Sequence, residues 1–129
     1  MQNLTKTCRQ CGEAKPIGAF AKQHTAPGGH RSECRPCRAT ADREYLLGKR
    51  FGITPADYDS MLASQSGGCA LCGAKTPGGR WARFHVDHDH ATGRVRGLLC
   101  HGCNVALGQL GDSAEGLLRA YQYVSEPTP

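Results

Sequence analysis

A chain of 129 residues with 39% apolar and 6% aromatic side chains has room for one domain or two very small ones, each with a thin core. Its formal net charge is +5, and no apolar run approaches the ~18–20 residues of a membrane span, so no membrane association is expected. The opening MQNLTKTCRQC has no hydrophobic stretch of the signal-peptide kind, which argues against secretion.

Small domains with thin cores usually need staples, and eight cysteines are the candidates here. They fall into four pairs of one spacing: Cys8 and Cys11, Cys34 and Cys37, Cys69 and Cys72, Cys100 and Cys103. Two intervening residues let a tight turn aim both sulfurs at one ion, and two such turns complete a tetrahedral zinc shell. Taken in chain order, the pairs make two four-cysteine sites, of lengths that suit zinc ribbons or treble-clef-like units. The alternatives are a disulfide framework, which needs an oxidising compartment, and redox-active pairs. Two zinc ions held by eight thiolates would lower the net charge by four, to about +1. The basic residues are nonetheless clustered: Arg80, Arg83, Arg94 and Arg96 flank an acidic DHD, while Arg31, Arg35, Arg38, Arg43, Lys49 and Arg50 crowd the first half. That distribution suits a polyanionic partner or ordinary solvated charge.

In chain order, the loop HTAPGGHR puts His24 and His30 at the surface. RATADREYLLGKRF (38–51) is proline-free and rich in helix formers, and it ends near Gly48 or Gly52. ITPADYDSMLASQ starts a second helix, with Thr54 as N-cap, Pro55 at the first helical position and Asp57 answering the cap. Tyr58, Met61 and Leu62 then share its core face, and Gly67-Gly68 stops it. RWARFHV reads as a strand, ATG (91–93) as a loop and RVRGLL as a returning strand that delivers Cys100. NVALGQLG starts a short helix. DSAEGLLRAYQYV makes another, with Asp112 and Glu115 as a capping-box-like pair and Leu117, Leu118, Tyr121 and Val124 on a buried face.

Strand, loop, strand, cysteine knuckle and helix, with VDHDH on the first strand and Asn104 at the helix start, resemble a ββα-metal (HNH, His-Me finger) nuclease. The residues GGCALCG, HVDHDHATGRVRGLLCHGCNVALG and the tail through LLRAYQYV resemble most closely the recombination endonuclease VII family of phages. The resemblance runs from about Gly67 to Val124. The fold expected is therefore small, α+β and zinc-stapled. Residues 1–38 would form a zinc-ribbon-like unit, 39–66 connecting helices, and 67–129 the nuclease domain with its own four-cysteine zinc.

Phosphodiester hydrolysis needs an activated water and a cation on the phosphate oxygens. Asp87 is a hard oxygen ligand suited to Mg²⁺ or Mn²⁺, and Asn104 can add an amide oxygen. His88 has the pKa of a fitting general base. On a regular strand it points away from Asp87, so a turn or a widening of the hairpin at that point is needed. The resemblance implies the same roles: Asp87 and Asn104 for one catalytic ion, His88 for the base. His90 either assists the base or contacts a phosphate, or is a solvated loop histidine. Asp89 is a turn residue or supports the site, and His85 shares the face of Asp87. His101, inside the last knuckle, is expected to be exposed.

The resemblance implies cleavage of DNA, with branched substrates such as Holliday junctions among the candidates. It also implies the cytoplasm of a bacterial host as the setting, and a homodimer where two strands are cut symmetrically. Residues 105–129 leave no room for a further C-terminal domain, so nicking enzymes of homing or packaging type stand beside the junction reading. A non-catalytic double zinc module that only binds nucleic acid explains the cysteines equally well. It gives no reason for Asp87, His88 and Asn104 to occur together.

Overall fold

The computed structural model describes residues 3–127, which divide into two compact units, one through Pro55 and one from Ala56 onward. In the first unit, β1 (Thr5–Thr7) and β2 (Ala14–Pro16) form a short antiparallel hairpin. Cys8 and Cys11 sit in its turn, where the Cys8 amide donates to Glu13 O and the Gly12 amide to Cys8 O, both at 2.9 Å. A second hairpin, β3 (Phe20–Lys22) with β4 (His30–Cys34), runs into α1 (Arg35–Phe51). Cys34 is the N-cap of α1, and Cys37 lies in its first turn. The core of this unit is Cys8, Phe20 and Cys34, with Ala19 and Cys37 packed against them. So few buried side chains make a thin core, the kind that a cross-link usually supplements in small domains.

The second unit repeats that local plan around a different site. Helix α2 (Pro55–Ser64) leads through a turn to Cys69 and Cys72. The antiparallel hairpin β5 (His85–His88) and β6 (Val95–Leu99) then ends at Cys100, the N-cap of α3 (His101–Gln109). Helix α4 (Ala114–Ser125) closes the unit. Tyr58, Phe84, Leu98, Leu99, Cys69 and Cys100 are its buried hydrophobic residues, and the Tyr58 hydroxyl donates to Phe84 O at 2.9 Å. Gln65, just after α2, stands in for a third strand. Its Oε1 accepts from Leu98 N, and its Nε2 donates to Leu98 O and Gly68 O, all at 2.9 Å. The Ala70 amide also donates to Leu98 O, so the outer edge of β6 is covered. A Cβ at Gly97 would stand 3.1 Å from Gln65 Oε1, a tight contact that glycine avoids.

Four expectations need correction. The first nuclease strand starts at His85 rather than Arg80, because its partner β6 ends at Leu99, opposite His85, where the chain turns into the cysteine knuckle. Helix α1 starts at Arg35, ahead of Arg38, because Cys34 caps it and Pro36 fits its first turn. The cap of α4 is Ser113, whose hydroxyl accepts from the Gly116 amide at 3.1 Å; Asp112 is turned elsewhere. The face of α4 carrying Leu117, Leu118, Tyr121 and Val124 is 40–76% exposed, and Gly116 is the buried residue of that helix.

Candidate active site

The two four-cysteine sets lie one in each unit, and within each set all four sulfurs are within 4.8 Å of one another. Cys72 Sγ and Cys100 Sγ are 3.7 Å apart, close to the ~3.8 Å edge of a tetrahedron with 2.3 Å Zn–S bonds. The donor set is four soft sulfurs, and no cysteine is in a disulfide. Both sites therefore fit structural zinc. Backbone N–H groups of Cys11 and Cys34 draw the Cys8 thiol down to about 6. Burial opposes ionisation of Cys69, but the amides of Cys72, Cys100 and Leu71 outweigh it and bring that thiol to about 6 as well. A hydrogen bond with Cys34 and then burial push Cys37 up to about 12; burial and then a hydrogen bond with Cys100 do the same to Cys103. Four thiolates at such distances repel, which a cation among them would relieve. Lys15 Nζ donates to Cys34 Sγ at 3.5 Å and adds a positive neighbour to the first site.

The β5–β6 ladder pairs His85 with Leu99, Val86 with Leu98 and Asp87 with Gly97, then slips so that His88 faces Val95. The step takes one residue on β5 and two on β6, so Arg96 is the extra residue of a β-bulge. The register of the hairpin thus breaks at the Asp87–His88 step. A bulge re-aims side chains, and Arg96 forks onto Asp87: Nε to Oδ2 at 2.7 Å and Nη2 to Oδ1 at 3.0 Å. Arg96 Nη2 also reaches Asp112 Oδ1, and Asp112 Oδ2 lies 3.7 Å from His90 Nε2. The His90 and His88 rings are 4.5 Å apart. Asp87, Asp89, Arg96 and Asp112 line one cleft of about 570 Å³ whose apolar wall includes Leu99, Leu107 and Leu117. Neither His88 nor Asn104 lines it.

Asn104 sits a full turn into α3, later than the helix start expected for it, and its amide closes the first turn on Cys100 O at 3.0 Å. It is half-buried on a helix that packs against β5 and β6. Asp89 caps the hairpin turn: its Oδ1 accepts from the amides of Ala91 (2.8 Å) and Thr92 (3.2 Å), and those bonds hold its carboxyl below the usual range. His101 is not exposed as expected. Its ring packs 5.4 Å from both Trp81 and His85, and Trp81 lies edge-on to His85 at 4.7 Å. The His85 ring joins that cluster, with burial and then the neighbouring His101 lowering its pKa. The sequence reading missed Arg96, Asp112 and Gln65 as site and scaffold residues. A glycine inside a strand pattern is a recognised sign of a bulge, so Gly97 offered a signal for Arg96; Asp112 and Gln65 had none.

A ββα unit stapled by one cysteine set defines a class of small metal-stapled nuclease-like domains, and the comparisons narrow it. The family model for recombination endonuclease VII matches residues 44–126, so the chain belongs to that family. It is 36% identical over 128 residues to the Gene 59 protein of Mycobacterium phage D29, a match covering 95% of this chain and 74% of that protein. The Gene 59 protein of Mycobacterium phage L5 is likewise 36% identical over 128 residues, covering 95% and 75%. The solved structure of the beta-beta-alpha-Me type II restriction endonuclease Hpy99I aligns with 25% identity and a TM-score of 0.40. That alignment covers 93% of this chain and 64% of that enzyme, so the chain spans less than two thirds of its length. Among the described residues no helix is long and apolar enough to cross a membrane.

Proposed function

We propose that this chain is a divalent-metal-dependent DNA endonuclease of the ββα-metal (HNH) type. The observation that carries this reading is a hairpin whose register breaks between Asp87 and His88, in a chain of the endonuclease VII family. Asp87 and Asn104 would hold one Mg²⁺ or Mn²⁺; a carboxylate and an amide leave most of the coordination shell to water and phosphate. Such an ion, when bound, neutralises charge on the scissile phosphate and its leaving oxygen. The chain's own share is to hold the donors in place and to manage the proton. His88 accepts a proton from the attacking water, and the His90 ring packed beside it limits how the His88 imidazole can turn. Asp87 is paired with Arg96, which supports a place at Asp87 where positive charge is favoured.

Branched DNA is the substrate class assigned first, on the family alone, with a homodimer as the form that cuts two strands and the host cytoplasm as the reducing setting for eight thiols. The test is nicking of supercoiled plasmid by the zinc-loaded protein with Mg²⁺ or Mn²⁺, set beside Holliday-junction and mismatch-loop substrates. Asp87→Ala and Asn104→Ala should abolish cleavage with zinc content unchanged. His88→Ala should lower it by about 10²–10⁴-fold. Full activity in Asp87→Ala, or in zinc alone, would overturn the reading; equal cleavage of linear and branched DNA would remove the junction assignment only.

A further inference from the structure

We infer that Arg96 and Asp112 form a latch that decides when Asp87 is available to a divalent cation. The inference rests on the proposed role of Asp87 as a metal ligand and extends it to how that ligand is governed. Arg96 engages both carboxylate oxygens of Asp87 at 2.7 and 3.0 Å, so a cation must compete with the guanidinium for the charge and the inner lone pairs of Asp87 while the fork is closed. The same guanidinium already touches Asp112. Two carboxylates and one guanidinium carry a net charge of −1, and the odd negative charge sits in a cleft where Asp87 and Asp112 are only 12% and 20% exposed.

Asp112 is fixed independently of the hairpin. Its backbone is left-handed, with φ of 50°, and its amide donates to Leu107 O at 2.8 Å on α3. The next residue, Ser113, caps α4. A left-handed aspartate is held there by its surroundings at some cost, and its carboxylate is presented to Arg96 whatever Asp87 does. When a divalent ion claims Asp87, Arg96 must release it, and a free guanidinium beside that ion would be repelled. Asp112 keeps Arg96 neutralised and to one side. Arg96 and Asp112 are thus positioning residues: Arg96 opposes metal binding, and Asp112 relieves that opposition.

Removing any nearby carboxylate weakens cation binding by charge alone, so the latch is tested by dependence. Mn²⁺ affinity is measured on the zinc-loaded full chain without DNA, by the loss of free Mn²⁺ resonance signal, for the parent, D87A, R96Q, D112N and R96Q/D112N. Asparagine tolerates left-handed backbone, so D112N should fold; zinc content and melting check each variant. If R96Q fails to fold, R96K, which keeps the charge without the fork, replaces it. The latch requires R96Q (or R96K) to bind Mn²⁺ more tightly than the parent and D112N to bind roughly tenfold more weakly or worse, the usual range for outer-shell partners. It also requires that D112N weaken binding clearly less once Arg96 is replaced than it does in the parent, leaving only the loss expected from removing one nearby charge. Equal weakening by D112N in both backgrounds, or weaker binding in the Arg96 variant, overturns the latch. A parent site that survives D87A overturns the role of Asp87 itself, which is a separate result.

Discussion

Asp87 and Asp89 are two residues apart and have unlike fates. One is forked by Arg96 across the hairpin, and the other accepts two amides of its own turn. The turn role of Asp89 follows from its type, because a short side-chain oxygen bonds backbone amides just ahead of it. Asp89→Ala should therefore lower the melting temperature, while Asp89→Asn, which keeps an acceptor oxygen, should retain most of it. The folded pKa of Asp89 is depressed by those amides, so the carboxylate stabilises the fold above its unfolded value near ~3.9. That contribution is lost as pH falls through the lower folded value. The melting gap between parent and Asp89→Ala should accordingly close as pH falls below the unfolded value and through the lower folded one; a constant gap would assign the effect to packing. At this scale Asp87, His88 and Asn104 were nameable from the sequence because their types suit the chemistry. Arg96 and Asp112 were not, because what matters about each is a partner distant in sequence.

The elements show the same division. Helix α2 is legible with proline in its first turn, and the end of α1 in Gly52, left-handed with its amide on Gly48 O and Leu47 O; the start of α1 was read three residues late. Strand β5 was read too long, since a strand's length is set by its partner and β6 has no residue to offer upstream of His85. Helix α4 shows the limit of amphipathic patterning, which says which face would bury but not whether anything covers it. Its cap was misread because Asp112 and Ser113 are both good cap residues and only the backbone chooses between them. Ser113→Ala should cost about 1 kcal/mol of stability. Gly116→Ala should cost more, about 1–3 kcal/mol, because an added Cβ would fall on the Leu110 carbonyl oxygen. Chemical denaturation reads both, and a milder effect for Gly116→Ala than for Ser113→Ala would show that the α3–α4 turn relaxes freely.

For the molecule as a whole, both cysteine sets were legible, because each pair needs only two intervening residues and the pairs recur in order. Each set lies wholly within one unit, so the protein should carry two zinc ions per chain. Cys100→Ser should cost the second unit its zinc and its fold, since structural zinc supplies folding free energy of order ~10 kcal/mol or more. Cys8 and Cys69 are depressed to about 6, so their ionised forms stabilise the fold fully above the ordinary cysteine value. That contribution fades as pH falls and is gone below about 6. Cys37 and Cys103, held up near 12, must surrender protons when zinc enters. Loading near neutral pH should therefore acidify an unbuffered solution, and strong acidification, which protonates the sulfurs in competition with zinc, should release the metal. Retention of both ions in strong acid would mean that the thiolates are held by more than these amides.

The extra residue at position 96 belongs to one strand alone, and this makes the hairpin's length a matter of parity. A substitution at 96 changes a side chain and leaves the count of backbone units untouched. A deletion there lets the ladder run on without a break, with His88 still opposite Val95 and the bulge that carries Arg96 gone. Position 96 is thus needed once as a guanidinium and once as a length of chain, and another amino acid can replace only the first.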